Sequence, residues 1–271
     1  MGRIVKTVVI VLLLSVVTYV YGEEGPYRID WKTREIVVIG ISGLAMEEPG
    51  NPIEWQYSAA VQAKQALLEN FMASLRTLRL DAYNSAKDVL MKDPSRNEAI
   101  HGYIRSLDNF QVIYGEENVT IAKRIPFFGR VGLAPLLIEG GTDPGHFQTY
   151  EDLAFSTEFS GVVIDGRGLG RIPALNPKIY DEDHNLVYSG DLLEQGSFER
   201  WGACQYTDDP YYKGYEARAG ENPLRIVAVQ NSKLIETDLC ISHEDAMILL
   251  QHPQTKDRLK EGRVVIIIDS L

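Results

Sequence analysis

Few residues of this chain have the types and spacing that chemistry needs, and the first candidate is a glycine-rich loop. Gly166–Gly170 has the spacing G-x-G-x-G and closely follows the apolar run Gly161–Ile164, as a dinucleotide-binding loop follows a strand. A dinucleotide site needs G-x-G-x-x-G with a helix at its end, because the helix N-terminus binds the pyrophosphate. Pro173 stands where that helix should begin, so the pattern favours a tight bend over a cofactor site.

A second candidate is the acidic segment Asp181–Asn185, which has the D-x-D-x-N start of a calcium-binding loop. Such a loop needs glycine at its sixth position and glutamate at its twelfth. This chain has Leu186 and Leu192 at those positions, and a polar hairpin turn accounts for the same residues. We therefore predict no metal site, with calcium as the alternative at this turn.

Nucleophilic and zinc-binding patterns are missing from the sequence. Gly40–Gly43 is one residue short of the G-x-S-x-G turn that exposes a catalytic serine. The histidines form no H-E-x-x-H and no zinc-type cluster with the cysteines. We predict no catalytic residue and no cofactor, with a hydrolase whose residues meet only in space as the alternative. The histidines are His101, His146, His184, His243 and His252.

The two cysteines, Cys204 and Cys240, are separated by 35 residues. An oxidising compartment favours a disulfide between two such residues. The closed loop would contribute roughly 3–4 kcal/mol in the chain-entropy account of disulfides. We predict this disulfide, with two buried free thiols as the alternative.

Aromatic residues are concentrated in the polar stretch Leu192–Glu221. We expect this stretch to be ordered, because so many rings are rarely left in water. Aromatic surface is also typical of ligand pockets, so the rings form a candidate binding surface, although a satellite core is the favoured explanation. The rings belong to Trp201, Tyr206, Tyr211, Tyr212 and Tyr215.

Residues 1–22 have the composition of a secretory signal peptide. Two positive charges precede Thr7–Val20, an almost wholly apolar run of 14 residues. A membrane-spanning helix needs about 20 apolar residues, so we predict cleavage between Gly22 and Glu23 rather than a permanent anchor. No cysteine lies near the cut, so we expect no lipid anchor and no stable membrane insertion after cleavage.

The acidic composition limits the partners of the chain. The formal net charge of −11 becomes −13 without the two positive charges of the signal peptide. Nucleic acids and anionic lipid headgroups both attract basic surfaces. We therefore expect no nucleic-acid partner, and the charge favours solubility.

Residue periodicity predicts a small sheet and a long helix in a first domain, residues 23–143. Thr33–Ser42 reads as a strand, and Phe110–Tyr114 and Val119–Ile125 read as a hairpin. Glu54–Leu80 reads as the long helix, because its apolar residues recur every three or four positions. The helix begins with an alanine-rich face that allows close packing on a sheet.

Shorter elements complete the prediction, and a second domain spans residues 144–271 after the boundary segment Gly140–Gly145. Val264–Ile268 is wholly apolar and is expected to be central in its sheet. Ser242 is expected to cap a helix that ends at Pro253. The other predicted elements are helices at Ala82–Met91 and Asn97–Leu107, separated at Pro94, a hairpin of Asn176–Tyr180 with Leu186–Tyr188, and strands at Leu224–Val229 and Leu234–Ile241.

Several of these segments resemble a known family. The alanine-rich segment Ala59–Leu68 and the strand that ends in Arg124–Pro126 resemble the bacterial twenty-kilodalton lipoprotein family, which is similar to the flagellar assembly proteins P and T. The resemblance covers roughly Thr33–Leu137. The later segments Val162–Gly170 and Pro173–Glu182 look like a region that accompanies this domain in uncharacterised envelope proteins.

The resemblance implies periplasmic or outer-membrane-associated domains without enzymatic activity, some of which form rings around the flagellar motor. We therefore expect an exported α+β protein: a small sheet with a long alanine-rich helix packed on it, followed by a second small α/β domain. It would act through contacts with a protein partner or by self-assembly, in flagellar or outer-membrane assembly. A periplasmic ligand-binding module that uses Trp201–Tyr215 is the alternative.

The predicted export can be tested on the protein purified from cells. Because Thr7–Val20 is too short to span a bilayer as an anchor, we expect the protein in the periplasmic fraction to begin at Glu23 by N-terminal sequencing. A chain that begins at Met1 and fractionates with the cytosol would contradict the prediction.

Overall fold

The computed structural model describes residues 25–44, 51–138, 145–149, 157–212, 214–231 and 233–271. The predicted signal peptide and its cleavage point between Gly22 and Glu23 lie outside these residues. None of the helices in the described ranges is both long and apolar enough to cross a bilayer. The predicted α+β class is confirmed.

The chain divides into two compact units. Unit 1 consists of the described residues among Met1–Ile29, Glu35–Arg76 and His101–Ile125, and unit 2 of those among Asp30–Arg34, Thr77–Ile100 and Pro126–Leu271. In chain order the elements are β1 (Tyr27–Asp30), β2 (Glu35–Gly43), α1 (Pro52–Ser74), α2 (Ala86–Lys92), α3 (Pro94–Ser106), β3 (Gln111–Tyr114), β4 (Asn118–Pro126), α4 (Ala134–Leu137), β5 (Val162–Asp165), β6 (Ile179–Tyr180), β7 (Leu186–Tyr188), a 3-10 turn (Gly190–Leu192), α5 (Gln195–Trp201), β8 (Gln205–Thr207), α6 (Tyr215–Ala219), β9 (Leu224–Val227), β10 (Leu239–Cys240), α7 (His243–Gln251), α8 (Pro253–Lys260) and β11 (Val264–Ile267).

Helix α1 packs on a four-stranded antiparallel sheet of order β1-β2-β4-β3. The helix begins at Asn51, whose side chain accepts the N–H groups of Ile53 and Glu54 while Glu54 accepts that of Asn51. This capping box satisfies donors that have no partner within the helix. One apolar face is buried, and its residues, four apart, are Ala59, Ala63, Leu67 and Phe71.

The close contact between α1 and the sheet depends on Gly40 of β2. A Cβ atom at this position would overlap the carbonyl oxygen of Ala63 and the main-chain nitrogen of Leu67, and it would lie 2.8 Å from Leu67 Cβ. The small side chains of the helix and the missing side chain of Gly40 therefore bring the two backbones together. This confirms the expected close packing of the alanine-rich helix.

The hairpin of β3 and β4 is antiparallel, with Val112 opposite Ile121 and Tyr114 opposite Val119. Strand β4 is buried on both faces: Val119 and Ile121 are buried, and Ala122 packs with Val37 and Ile39 of β2. Strand β3 is the last strand of the sheet order.

Unit 2 contains a parallel sheet of order β8-β11-β5-β9. Its strand β11 is buried along its whole length and has a parallel neighbour on each side, which confirms the central strand predicted from Val264–Ile268. A second sheet has the order β10-β6-β7, and β6 and β7 form the predicted hairpin. Only Leu239–Cys240 of the strand predicted at Leu234–Ile241 is extended.

Several predicted helix boundaries were wrong, and the helix predicted from Ala82 begins at Ala86. The long helix ends at Ser74 instead of Leu80, and the following chain folds back so that Arg79 forms a bridge with Ser85. Pro94 starts α3 instead of merely separating two helices. Proline suits the first helical turn because it lacks only an N–H that has no partner there, and the Asp93 carboxylate accepts the N–H groups of Ser95 and Arg96.

We predict that Gly40→Ala will lower the free energy of unfolding by about 3 kcal/mol, because the new methyl group has no space between sheet and helix. The matched control is Gly102→Ala inside α3, where a Cβ atom would meet nothing within 4 Å. This change should raise stability by about 0.5–1 kcal/mol. Urea unfolding would measure both, and equal effects of the two variants would contradict the proposed close contact.

Candidate functional site

Unit 1 has a row of exposed apolar side chains on α1. Ile53, Tyr57 and Val61 are four residues apart and therefore share one side of the helix, and their exposed fractions are 78%, 73% and 54%. Single exposed apolar residues are ordinary on a protein surface, but several together mark interaction sites. The row lies outside the face that α1 buries against the sheet.

Strand β3 adds an open edge to this apolar surface. Val112 and Tyr114 are exposed, and no described strand pairs with the outer edge of β3. The strand sequence Gln111–Tyr114 contains no charged residue and no proline, although proteins usually protect edge strands with such residues. An open, uncharged edge can accept another extended chain through main-chain hydrogen bonds.

The helix row and the strand edge lie on the same side of unit 1. Lys64, which follows Val61 by one turn, places its ammonium group 4.8 Å from the ring centre of Phe110, the residue before β3. Lys123 of β4 approaches the same ring from 5.6 Å. We call the whole region the edge surface; its apolar residues are Ile53, Tyr57, Val61, Val112 and Tyr114.

No sequence motif indicates the edge surface as a site. The apolar period of the helix predicts which residues are buried. An exposed apolar residue on the other side indicates a contact surface only when further exposed apolar residues lie next to it in the fold. The absence of charge in Gln111–Tyr114 was a usable signal, because a charged residue there would have protected the edge.

The aromatic residues predicted as a binding surface have separate surroundings. Tyr206 is buried, and its hydroxyl group donates to the carbonyl oxygen of Ala174 and accepts the N–H of the same residue. Trp201 donates from Nε1 to the carbonyl oxygen of Glu261 at 2.8 Å. These two rings are therefore held by main-chain groups of unit 2.

The remaining three rings of that stretch lie nearer the surface. Tyr211 is exposed, Tyr212 accepts a long hydrogen bond from the Gln205 side chain at 3.4 Å, and the guanidinium of Arg225 covers the Tyr215 ring at 4.7 Å. Tyr212 and Tyr215 therefore contact different side chains. Ligand binding by the aromatic stretch stays a prediction.

The two cysteines are free thiols in this structure instead of the predicted disulfide. Both are buried and each has its own neighbours: Cys204 contacts Tyr206, while Cys240 accepts from the Asn231 side chain and donates to the carbonyl oxygen of Ile241. They lie beside different sheets, since Cys204 precedes β8 and Cys240 ends β10. The physical alternative of two buried thiols is the one observed.

A cleft of about 380 Å³ also lies in unit 2. Its wall contains the cations Lys92, Arg96 and Lys178 as well as three aspartates. Arg96 is already engaged, because it pairs with Asp93 at 3.0 Å and donates to the carbonyl oxygen of Leu137 at 2.8 Å. The cleft therefore offers mixed charge rather than one sign that would select a ligand.

One group of side chains in unit 2 has metal-ligand chemistry. Asp181 and Asp183 of the β6–β7 turn and His243 of α7 bring a carboxylate oxygen, a second carboxylate oxygen and an imidazole nitrogen within 4.8 Å of one another. The D-x-D-x-N spacing indicates the two aspartates but not the histidine. The histidine is about sixty residues further along the chain, and only folding brings it to the turn.

Comparison with known protein families gives a match to part of the chain. Residues 161–270 are similar to the family described as the second domain of Treponema pallidum Tp0624. The matched segment runs from β5 to β11 in unit 2 and leaves unit 1 unmatched. No curated protein sequence matches the chain, and the resemblance of Thr33–Leu137 to the lipoprotein family stays a prediction.

The state of the thiols can be measured. Burial raises the pKa of Cys204 to about 12 and also raises that of Cys240, and only thiolates react readily with disulfide reagents. We expect slow reaction of the native protein at pH 8 and two reactive thiols per chain once the protein is unfolded. An unfolded, unreduced chain without reactive thiols would show that the disulfide exists.

The raised pKa also predicts how stability depends on pH. The folded chain keeps the Cys204 proton up to about pH 12, while the unfolded chain loses it near the ordinary pKa of 9.0. The free energy of unfolding should therefore fall as the pH rises above about 9. Cys204→Ala should make this fall less steep, and an unchanged slope in the variant would contradict the assignment.

Proposed function

We propose that this protein is a non-enzymatic component of a bacterial cell envelope that acts through contacts with other proteins. The observation that carries the proposal is the edge surface of unit 1. An uncharged open strand beside an exposed apolar helix row is costly for an isolated protein, because both invite aggregation. The same features are useful when a partner covers them, since strand pairing supplies hydrogen bonds and the apolar side chains supply buried area.

The sequence supports the location in the envelope. The signal-peptide composition of residues 1–22 favours export, and the resemblance of Thr33–Leu137 to the twenty-kilodalton lipoprotein family favours the periplasm or the outer membrane. Within the envelope we propose a role in flagellar or outer-membrane assembly, because the twenty-kilodalton lipoprotein family is similar to the flagellar assembly proteins P and T. The acidic charge of the chain disfavours nucleic acid and anionic lipid as partners.

The chemistry of the described residues supports contact rather than catalysis. The Gly166–Gly170 loop leads into no helix at Pro173, and the N–H of Gly168 instead donates to the carboxylate of Asp269. The Asp165 carboxylate is paired with Arg167. These groups stabilise a bend after β5, which gives the loop a structural role.

The proposal predicts crosslinks from the edge surface in intact cells. A photoreactive residue in place of Tyr57 or Tyr114 should form a discrete adduct with a partner, because both side chains would be buried in the complex. The matched control is Tyr83 of unit 2, which is 75% exposed, compared with 73% for Tyr57. A photoreactive residue at position 83 should give no such adduct.

A charge on the strand edge supplies the second arm of this experiment. Val112→Lys should reduce the adduct from position 57 at least tenfold, because the ammonium group would have to be buried against the partner at a cost of well over 1.4 kcal/mol. The variant should keep its melting temperature, since Val112 is exposed. Adducts that are absent at positions 57 and 114, or equally strong at position 83, would contradict the proposed function.

A further inference from the structure

The β6–β7 turn holds one carboxylate in a fixed position. Asp181 follows β6 and is completely buried. Its Oδ1 atom accepts the N–H groups of Asp183 at 3.0 Å and Asn185 at 2.8 Å, and its Oδ2 atom accepts the side-chain amide of Asn185 at 2.9 Å. These bonds hold the Asp181 carboxylate in one orientation, and each carboxylate oxygen can accept from or bind more than one partner.

Helix α7 brings an imidazole to the same point. Ser242 caps the helix by accepting the N–H of Asp245, and the N–H of His243 donates to the carboxylate of Glu182 at 3.2 Å. The second bond joins the helix start directly to the turn. As a result, His243 Nδ1 lies 3.6 Å from Asp181 Oδ2 and 3.3 Å from Asp183 Oδ2.

These distances fit the edges of a metal coordination polyhedron. Two ligands bound to one zinc ion at about 2.1 Å in tetrahedral geometry are about 3.4 Å apart, and the two observed distances lie on either side of that value. We propose that Asp181, Asp183 and His243 bind one divalent transition metal ion of the zinc class. Solvent reaches the site through the exposed carboxylate of Asp183, so water completes the coordination.

The donor set excludes the calcium site that the D-x-D-x-N spacing alone suggests. Calcium takes six to eight oxygen ligands at about 2.3–2.6 Å, whereas one of the three ligands in this cluster is an imidazole nitrogen. In addition, a calcium-binding loop needs glycine and glutamate at the positions where this chain has Leu186 and Leu192. Imidazole with carboxylates suits zinc and its neighbours in the transition series. The hydrogen bonds from Asn185 to Asp181 supply the outer support that metal ligands usually have.

The bound ion would tie the β6–β7 turn to the start of α7. The two segments are far apart in sequence, so the ion stabilises unit 2 by linking them when the chain is folded. This inference is independent of the proposed envelope function, because it rests on unit 2 and not on the edge surface.

The test is titration of the purified, chelator-treated full chain with Zn²⁺ by calorimetry, and with Co²⁺ by visible spectroscopy. We expect one ion per chain, the strong visible absorption of four-coordinate Co²⁺, and a higher melting temperature with Zn²⁺. Asp183→Asn and His243→Gln should each weaken Zn²⁺ binding at least tenfold and remove the Co²⁺ spectrum. The Asp183 side chain is 70% exposed and the His243 side chain is 44% exposed, so circular dichroism should show both variants folded.

His184→Asn is the matched control, because this exposed histidine lies in the same turn but outside the cluster. Asparagine tolerates its backbone φ of 63°, and the variant should bind Zn²⁺ like the parent. The inference is overturned if the parent binds no Zn²⁺, if Asp183→Asn and His243→Gln bind it unchanged, or if Ca²⁺ displaces it at equal concentration. In those cases the three side chains do not form a site for a zinc-class ion.

Discussion

Arg218 of α6 is almost fully buried. A buried cation needs hydrogen-bond acceptors in place of water, and this need constrains the arrangement of unit 2 around Arg218. Among the described residues, its hydrogen bonds go to the carbonyl oxygens of Trp201 and Gly202, each at 2.7 Å. Its guanidinium also lies 4.9 Å from the Trp201 ring. Burial lowers the pKa of Arg218 to about 10, so it still carries its charge at neutral pH.

The acceptors are the carbonyl groups at the C-terminal end of α5, where the helix dipole is negative. Arg34 adds a second guanidinium to the same Trp201 oxygen at 3.1 Å. The chain leaves this helix end through Gly202, which has a φ of 74° that favours glycine. The chain then enters β8, which pairs with β11. The hydrogen bonds from Arg218 to residues 201 and 202 therefore help to fix where this outer strand of the parallel sheet begins.

Local patterns predicted much of this fold. Val264–Ile268 indicated a central strand because a run of apolar residues needs burial on both faces, and Ser242 with Asp245 indicated a helix start because the cap involves residues three apart. The hairpins were equally predictable from turn residues between short apolar runs. In each case the cause lies within a few residues of its effect.

Other features were not predictable because their causes lie far apart in sequence. Nothing near Arg218 marks it as a buried residue, since the carbonyl groups that accept its hydrogen bonds belong to residues 201 and 202. The apolar period of α1 continues through Leu78, yet the helix ends at Ser74 because the following residues turn back toward Ser85. For the same reason, His243 could not be placed beside Asp181 from the sequence.

The two four-stranded sheets differ in how their edge strands are protected. In unit 2, edge strand β9 carries Arg225, whose charge discourages pairing and whose guanidinium also covers Tyr215. The opposite edge strand, β8, is only three residues long, and Tyr206 and Thr207 in it are buried. In unit 1, β3 carries no charged residue, and exposed Val112 and Tyr114 extend its apolar surface. Because an uncharged exposed edge can pair with another extended chain, β3 is the basis of the contact surface proposed for unit 1.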